Sequence, residues 1–503
     1  MYIPRILKDI LISFLSALLF LLGKGFIYNT ADQIEPLVLV YKKLNSNLYV
    51  GDFYVESAQN IFTVRYYYVE LLAFFGKYFS LYHISLVGTF LCLFFASWGL
   101  IKITRALVSD NLSGYATPFF VLFLFISWTV GGNEIQYNLL ISSSLAKALS
   151  IWGIYFLLRK RWALSAILIG FGGTFQVLVG LQLGVIIIAY LIIHQQWKSI
   201  LQWGAVWLMV ISPMLIPILF IQFYSSTKDA VNEGEFYHLL YYFRNPYHYL
   251  PNLFPLTSYI KLVILLVIGN ISLFVFLRRK LFYKLMIINV IIILGLIVYS
   301  VLILNFQVMS IGKIQWFKTT IVLSAIAAIG VSIAFEYTAK RFSLYRYFFG
   351  VGILLPIIYI AYAQFRYDFP VGLDHRSENQ KELADVHEWI KENTPVEAIF
   401  ATYIDDEGFL CEAQRPLTIA LNPIVHEPWF MVKWYDRMYQ QYQVDSTETD
   451  HIKMKLEANQ YYETGEWIPE TSAEYCVFRK NVDLEGLESI HESRNYKVLK
   501  INR

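Results

Sequence analysis

Residues 258–305 read SYIKLVILLVIGNISLFVFLRRKLFYKLMIINVIIILGLIVYSVLILN. The stretch holds two apolar runs, 258–277 and 285–305, on either side of the basic sequence Arg278-Arg279-Lys280. About 20 apolar residues in a helix are needed to cross the ~30 Å hydrocarbon core of a bilayer. The stretch therefore predicts two membrane-spanning helices joined by a short basic turn.

The same pattern recurs along the chain and predicts about eleven transmembrane helices. They are residues 8–28, 82–104, 114–132, 140–158, 161–177, 179–196, 201–223, 258–277, 285–305, 318–337 and 347–365. The first run is too long for a signal peptide and is expected to be a retained anchor. The fifth and sixth form one apolar run, broken at Gly172-Gly173 and Gln176, and could instead be a re-entrant pair.

Composition divides the chain into two parts. The 503 residues are 57% hydrophobic and 16% charged, whereas soluble proteins average about 25% charge, which excludes a large soluble enzyme. Residues 1–365 carry 26 Lys and Arg against 12 Asp and Glu, a net charge of +14, and residues 366–503 carry −11. We therefore expect a transmembrane domain over 1–365 and a polar, acidic domain over 366–503.

Basic residues predict the orientation, because they concentrate in cytoplasmic loops. The runs Arg159-Lys160-Arg161 and Arg278-Arg279-Lys280 fall on one face together with the basic residues near the N-terminus. The N-terminus is then cytoplasmic, and an odd number of spans places 366–503 outside. The loops on the outer face are the long ones, 29–81 and 224–257, together with a shorter loop 306–317. The aromatic stretch 64–75 is amphipathic enough to lie along the membrane surface.

The exported segment reads as a small α/β domain. Residues 378–393 have the apolar spacing of an amphipathic helix, and 398–402, 475–478 and 496–501 read as strands, the last two flanking a short helix near 484–490. Cys411 and Cys476 lie in this segment and could either form a disulfide or remain buried thiols.

Two carboxylates follow the first span. Asp32 and Glu35 are three residues apart, so in a helix they project over the same surface, where a carboxylate can act as general base on an acceptor hydroxyl. The alternative is that they are solvated or cap the next helix. Asp52 is a third candidate, but Gly51-Asp52 could equally be only a turn.

Several cations are candidates for binding a phosphate. Lys147 lies well inside an apolar span, where an ammonium group costs a few kcal/mol and usually faces a cavity, unless it snorkels to the headgroups. Arg244 and His248 lie in an aromatic loop that could equally be an interfacial belt. Lys313 and Lys318 stand at the mouth of the tenth span.

Short motifs along most of the chain resemble the GT-C superfamily of membrane glycosyltransferases, and more narrowly a bacterial multispan group near it. Asp32-Gln33-Ile34-Glu35-Pro36 and Leu48-Tyr49-Val50-Gly51-Asp52-Phe53 are similar to the group's first outer loop, and Lys147 occupies a position that the group often fills with Arg. Arg244-Asn245-Pro246-Tyr247-His248-Tyr249 is similar to its Arg-x-Pro-x-His-Tyr loop.

The later part of the chain carries the resemblance further. Gln315-Trp316-Phe317-Lys318 is similar to a Gln-x-x-Arg motif, with Lys in place of Arg, and Trp389 to Pro395, Gln414-Arg415-Pro416 and 433–437 resemble the group's exported domain. Two positions depart from the pattern. Gln176 stands where relatives often carry His, and Lys318 lacks the bidentate fork of Arg.

The resemblance implies transfer of a sugar from a polyprenyl-phosphate donor to a glycan, lipid or protein acceptor on the outer face of a bacterial plasma membrane, with inversion. It implies Asp32 or Glu35 as the base and Asp52 as a second carboxylate for orientation or for a divalent cation, whose involvement it leaves open. The cations that it implies around the lipid phosphate are Lys147, Arg244, His248, Lys313 and Lys318.

A second interpretation belongs to another functional class. The chain could be a non-catalytic scaffold, or a carrier of lipid-linked glycan, whose exported domain binds a partner. Nucleic-acid binding has no support, because the basic residues flank membrane spans and form no basic face on a soluble module.

Overall fold

The computed structural model describes residues 4–108, 112–225, 233–342, 373–374 and 376–502. Among these residues, six helices are long and apolar enough to cross a membrane. They are Arg5–Lys24, Leu81–Leu107, Trp197–Ile221, Leu256–Phe276, Arg279–Leu304 and Met309–Arg341. The prediction of a polytopic helical membrane protein is thereby confirmed.

Four further apolar helices are shorter than a full span. They are Leu112–Leu124, Ser142–Leu158, Trp162–Phe175 and Val177–Ile193. Gln176 separates the last two with an extended backbone, φ −142° and ψ 96°, so the predicted break in that apolar run is present. The predicted run 347–365 lies outside the described residues, and the number of eleven spans is not confirmed.

The third predicted span, 114–132, is wrong in its second half. The helix widens into a π-helical turn at Phe120–Leu124 and ends there, and residues 125–141 have no regular helix. Gly131 and Gly132 have φ values of 89° and 62°, which a helix cannot accommodate. Side chains bind the freed backbone groups: Thr320 Oγ1 donates to the Val130 carbonyl at 2.8 Å and accepts from the Val130 N–H at 3.0 Å. Irregular backbone at membrane depth is tolerated where protein satisfies it in this way.

Helices of the membrane part pack through small residues. A Cβ atom added at Gly269 would lie 2.5 Å from the backbone of Ala327, and one at Gly330 would lie 2.4 Å from the Gly269 carbonyl oxygen. Helix Leu256–Phe276 and helix Thr320–Arg341 therefore meet backbone to backbone, a type of contact common between transmembrane helices.

One acidic side chain is buried in the first helix. Asp9 is fully buried and pairs with Lys102 at 2.8 Å and with Arg105, both near the end of helix Leu81–Leu107. Removing one member of a buried ion pair leaves an uncompensated charge, so this cluster ties the two helices together.

The described residues fall into two compact units. The first comprises residues 1–26, 85–216 and 247–375, and the second comprises 27–84, 217–246 and 376–503. The second unit therefore unites the two long loops with the C-terminal segment, whereas composition alone suggested a single cut near residue 365.

The loop segments of the second unit are largely helical. Their helices are Ile34–Leu44, Phe53–Ala58, Tyr66–Gly76 and Glu233–His238. Helix Tyr66–Gly76 buries Tyr68 and Leu72 against helix Ile34–Leu44 and leaves Phe74 more than half exposed. The exposed face of this helix is also apolar, and its placement along a membrane stays a prediction. The first unit contains one further short helix, Pro246–Tyr249.

The C-terminal segment has a small mixed sheet covered by helices. Its helices are Glu378–Asn393, Phe409–Glu412, Pro428–Tyr442 and His451–Thr464. The strands are Phe400–Ala401 (β1), Tyr475–Arg479 (β2), Glu488–Glu492 (β3) and Tyr496–Lys500 (β4), in the order β1-β2-β4-β3. β1 is parallel to β2, and the other pairs are antiparallel.

The predicted helix near 484–490 is wrong. Gly486 has a φ of 83°, which turns the chain so that β3 pairs with β4 and forms an edge of the sheet. The strands predicted at 398–402, 475–478 and 496–501 are present, the first reduced to β1. Cys411 and Cys476 are both buried free thiols.

Candidate functional site

A large apolar pocket lies within the first unit. Its empty volume is about 1280 Å³, and most of its wall consists of Leu, Ile and Val side chains. The polar side chains among its described lining residues are Asn133, Lys147, Ser150, Gln182, Lys318 and Thr319. The described lining contains two lysines and no Asp or Glu, so its charged side chains are exclusively cationic.

The two lysines lie at the same ends of two wall-forming helices. Lys147 is in the second turn of helix Ser142–Leu158, and Lys318 is in the 3₁₀ turn just before helix Thr320–Arg341. The apolar wall continues from them to Leu158 and Ile329, eleven residues further along each helix, which is about 16 Å at 1.5 Å per residue. Helix N-termini carry partial positive charge, which adds to the attraction for an anion near the lysines.

Lys147 is 5% exposed, and the irregular segment 125–141 supplies its hydrogen-bond acceptors. Its Nζ atom donates to Asn133 Oδ1 at 2.7 Å and to the carbonyl oxygen of Glu134. It also lies 4.3 Å from the centre of the Tyr137 ring. An amide oxygen and a backbone carbonyl oxygen of this segment therefore hold the ammonium group in place.

His248 contacts the glycine turn of the same irregular segment. Its Nδ1 atom is 3.2 Å from the Gly131 carbonyl oxygen, and a Cβ atom at Gly132 would lie 2.9 Å from the imidazole Cε1 atom. The ring thus packs directly on the Gly131-Gly132 backbone. These contacts suit a side chain that holds the turn in position.

Gln182 anchors the loop that carries Lys313 and Lys318. Its Nε2 atom donates to the carbonyl oxygens of Ile314 and Gln315 at 2.8 and 3.1 Å. Gln315 has a left-handed backbone, φ 47°, between the 3₁₀ turns on either side. Lys318 lines the pocket, whereas Lys313 is partly buried in the preceding turn and is not among the lining residues.

Asp32 and Glu35 lie in the second unit, beside a buried arginine. Glu35 forms an ion pair with Arg65 at 2.8 Å, and both side chains are at most 15% exposed. Burial by itself lowers the pKa of Arg65, but the carboxylate of Glu35 and the charge of Asp32 raise it above its ordinary value. Asp32 is exposed. The ion pair with Arg65 therefore fixes the position of the Glu35 carboxylate.

Asp52 is 2% exposed, and both of its carboxylate oxygens accept backbone hydrogen bonds. Oδ1 accepts from the N–H of Val55 at 2.9 Å, which caps helix Phe53–Ala58, and Oδ2 accepts from the N–H of Leu417 at 3.1 Å. Burial raises the pKa of Asp52 to about 6 against the lowering effect of these hydrogen bonds. The geometry favours a structural link between the first loop and the C-terminal segment, all within the second unit.

Arg244 also has partners in the C-terminal segment. Its Nη2 atom donates to the carbonyl oxygen and to Oδ1 of Asn422, at 3.1 and 3.2 Å. Next to it, the carbonyl oxygen of Phe243 is 2.7 Å from His451 Nε2. The loop around Arg244 is therefore fastened to the C-terminal segment.

The residues suggested for a divalent cation do not form a ligand set. Among the described residues there is no cluster of three or more His, Cys, Asp or Glu side chains suited to a metal ion. Asp52, the carboxylate considered for that role, directs both oxygens to backbone N–H groups.

Sequence reasoning placed Lys147 and Lys318 among the candidates, and the structure brings both to one pocket. It overlooked Asn133, Gln182 and Tyr137, which hold that site together. Asn133 follows Gly131-Gly132, a sequence that predicts only an ordinary loop. A signal was available for Gln182, a polar residue within a run of aliphatic residues, whereas Asn133 lies in the polar stretch Asn133-Glu134-Ile135-Gln136 and gave none.

Comparison with solved structures identifies a similar fold. The crystal structure of the Archaeoglobus fulgidus oligosaccharyltransferase, tethered through a disulfide bond to an acceptor peptide containing the NVT sequon, matches with a TM-score of 0.53 and 12% sequence identity. The match covers 94% of this chain and 69% of that chain. A family model described as a domain of unknown function, DUF6798, matches residues 381–440, and comparison with curated proteins finds no match. The chain therefore has a fold similar to that of this oligosaccharyltransferase, and six of its described helices are long and apolar enough to cross a membrane.

Proposed function

We propose that this protein is a membrane glycosyltransferase that takes a sugar from a polyprenyl-phosphate donor and transfers it to an acceptor on the extracytoplasmic face of a bacterial plasma membrane. The N-terminus is cytoplasmic in this proposal, and the C-terminal segment is exported. The fold and the basic residues between spans support it.

The observation that carries the proposal is the shape and charge of the pocket in the first unit. An apolar pocket lined by two lysines suits a ligand that has an isoprenoid chain at one end and a phosphate at the other. Hydrogen bonds from an ammonium group to a phosphate are charge-assisted and are among the strong ones in proteins. The Leu, Ile and Val side chains of the wall pack against the isoprenoid chain of the ligand.

The reaction is a displacement at the anomeric carbon. The acceptor hydroxyl oxygen forms a bond to that carbon as the bond from the carbon to the phosphate oxygen breaks, and the configuration inverts. A carboxylate takes the hydroxyl proton, and the lipid phosphate leaves with the electron pair. We assign the base to Asp32 or Glu35 and the stabilisation of the leaving phosphate to Lys147 and Lys318.

The pocket assignment is tested by lipid binding to the purified full-length protein. Lys147→Met is expected to weaken binding of a polyprenyl phosphate by about 10- to 100-fold, since a hydrogen bond to a charged group contributes about 1.5–3 kcal/mol. Binding of the uncharged polyprenol of equal length should change little. The matched control is Lys261→Met, which removes an exposed ammonium from another helix and should leave both affinities unchanged. Equal binding of phosphate and alcohol by the wild-type protein would contradict the proposal.

Catalysis is tested separately from binding, because a carrier would bind the same lipid. The measurement is release of polyprenyl phosphate from a labelled polyprenyl-phosphate sugar. Asp32→Asn or Glu35→Gln should abolish release while leaving donor binding intact, whereas the control Glu56→Gln should remain active. If both substitutions preserve turnover, the base is elsewhere. If the wild-type protein binds the donor but never releases the sugar, the carrier function is correct.

A further inference from the structure

A second, narrow pocket lies entirely within the second unit. Its charged and amide side chains among the described lining residues are Asp406, Glu407 and Asn422, and most of the other lining residues are apolar. The pocket admits a small group such as a hydroxyl and is too small for a whole sugar ring. What it binds therefore depends on the hydrogen-bonding groups that its few polar side chains leave for a ligand.

Asp406 has one carboxylate oxygen that accepts no hydrogen bond. The side chain is 2% exposed, and its Oδ2 atom accepts from the Thr402 hydroxyl at 2.6 Å and lies 3.1 Å from His387 Nε2. The Oδ1 atom is buried and has no donor among the described residues. A buried carboxylate oxygen without a donor is unfavourable. His387 does not line the pocket, so the oxygen left for a ligand there is Oδ1.

The amide of Asn422 has a fixed orientation. Arg244 Nη2 is 3.2 Å from the Asn422 Oδ1 atom, and a guanidinium group has donors but no acceptor, so the atom that it contacts is the amide oxygen. No described residue accepts a hydrogen bond from the Asn422 Nδ2 atom. The amide nitrogen therefore remains as a donor for a ligand in the pocket.

One acceptor and one donor in a small pocket fit a hydroxyl group. A hydroxyl has one O–H donor and lone pairs that accept, so it can donate to Asp406 Oδ1 and accept from Asn422 Nδ2. An ammonium group has three donors and no acceptor, so it would leave the Asn422 N–H groups without a partner. A phosphate group would bring negative charge next to the carboxylates of Asp406 and Glu407. The pocket therefore favours a hydroxyl over an ammonium or a phosphate group.

The pocket adjoins the residues that carry the candidate bases. Ile34 lines it and directly precedes Glu35 in the chain. Glu407, another lining residue, accepts from the N–H of Ala31 at 3.2 Å, and Ala31 directly precedes Asp32. A sugar carries hydroxyls on neighbouring carbons, so it can place one in the pocket and another at the base. A serine or threonine side chain has a single hydroxyl and cannot do both.

We propose that the pocket of the second unit binds a hydroxyl of a carbohydrate acceptor through Asp406 and Asn422, so that a neighbouring hydroxyl of the same sugar faces the base. This inference rests on the proposed function, because it takes Asp32 or Glu35 as the base. The hydroxyl in the pocket is not consumed, and the neighbouring hydroxyl attacks the donor. Of the glycan, lipid and protein acceptors, the glycan is then the substrate.

Sugar binding to the purified full-length protein tests this assignment. The probes are the methyl glycosides of glucose, galactose and mannose, and saturation-transfer NMR measures their binding. At least one of the three should bind the wild-type protein saturably, and a peptide containing serine and threonine should not displace it. If none of the three binds, or if the peptide displaces the bound sugar, the inference is wrong.

Asn422→Asp is the decisive substitution. It keeps the oxygen that Arg244 contacts and replaces the donor of the pocket with a second acceptor. Affinity for the bound glycoside should fall on the order of 10-fold. Among the analogues of that glycoside in which one hydroxyl is replaced by an ammonium group, at least one should bind the variant more tightly than the wild type. The Tm should not fall, because Arg244 gains a charged partner. A merely structural role would not exchange the preference from hydroxyl to ammonium, and an unchanged preference would overturn the inference.

Asp406→Asn tests the other side of the pocket. The amide keeps an oxygen for Thr402 and His387 and presents N–H donors where Oδ1 was, so sugar affinity should again fall on the order of 10-fold. The matched control is Asp405→Asn, which makes the same change at the exposed neighbouring residue that does not line the pocket, and it should bind sugar as the wild type does. Equal losses in both variants would show an effect of general charge and overturn the inference. If Asp406→Asn fails to fold, Asn422→Asp decides alone.

Failure of this inference is distinguishable from failure of the proposed function. A wild-type protein that binds the sugar but never releases polyprenyl phosphate from a labelled donor refutes the proposed function and retains a hydroxyl-binding pocket. A wild-type protein that releases polyprenyl phosphate but binds none of the three sugars refutes only the assignment of the pocket.

Discussion

Raising the pH from 6.5 to 9.5 is expected to loosen the C-terminal segment around His387, a buried residue of helix Glu378–Asn393. The imidazole is 1% exposed and lies between two carboxylates, with Nδ1 2.8 Å from Glu412 Oε2 and Nε2 3.1 Å from Asp406 Oδ2. Asp406 Oδ2 also accepts from the Thr402 hydroxyl at 2.6 Å. Both ring nitrogens can donate only when the ring is protonated, so deprotonation leaves one carboxylate facing a lone pair.

The magnitude follows from the pKa of His387. Burial by itself lowers this pKa, but the charges and hydrogen bonds of Asp406 and Glu412 raise it from 6.5 to about 9. A pKa raised in the folded state contributes stability that is fully present below the unfolded value of 6.5 and is lost as the pH rises through 9. The loss between pH 6.5 and 9.5 is about 3 kcal/mol, from 1.36 kcal/mol for each unit of pKa difference.

Hydrogen–deuterium exchange of the full-length protein measures this loss locally. Peptides from 378–393 should exchange on the order of 100-fold faster at pH 9.5 than at pH 6.5, after correction for the intrinsic rates, if the segment opens locally. His387→Gln removes the titrating ring and should abolish the pH dependence, whereas the exposed His426→Gln should retain it. Persistence of the full pH dependence in His387→Gln would refute the reasoning.

Two other substitutions test assignments made from geometry. Asp52→Ala should lower the free energy of unfolding by about 2–4 kcal/mol, because it removes a helix cap and leaves the buried Leu417 N–H without its acceptor, and it should not change the pocket's affinity for polyprenyl phosphate. Unaltered thermal stability would contradict this structural role. Gly132→Ala should cost about 1–3 kcal/mol and weaken phosphate binding, since its φ is 62° and its Cβ atom would meet His248. Combining it with His248→Ala should recover part of the thermal stability, and no recovery would show that the ring contact is unimportant.

Sequence patterns predicted two kinds of helix correctly. The first is stabilised by contacts between residues close in sequence, and the second is a long apolar helix that can be buried in lipid. The helix predicted over 378–393 is present with those bounds, because its apolar spacing agrees with a capping box in which Ser377 and Gln380 bond each other's backbone N–H groups. The spans predicted at 258–277 and 285–305 are observed as Leu256–Phe276 and Arg279–Leu304 for an equally simple reason. Helical hydrogen bonding satisfies every backbone group in an apolar medium.

Prediction failed where distant side chains replace helical hydrogen bonds. Residues 114–132 contain no charged residue, as expected of a span, yet Thr320, almost 200 positions later, bonds the Val130 backbone and allows the irregular turn at Gly131-Gly132. Asn133 could not be singled out for the same reason. The partners of its side chain, Lys147 and Lys318, belong to two other segments of the chain, which no local spacing reveals.

The sequence by itself determined that this is a polytopic membrane protein with a polar C-terminal segment, because apolar length and charge decide which residues can leave water. It also marked Lys147, since a cation inside an apolar run needs a partner. Only the tertiary structure decided that Lys147 and Lys318 line one pocket, that Asp52 accepts hydrogen bonds from backbone N–H groups, and that Lys147 donates to Asn133. These facts are distances between residues far apart in the chain, and such distances are set by packing.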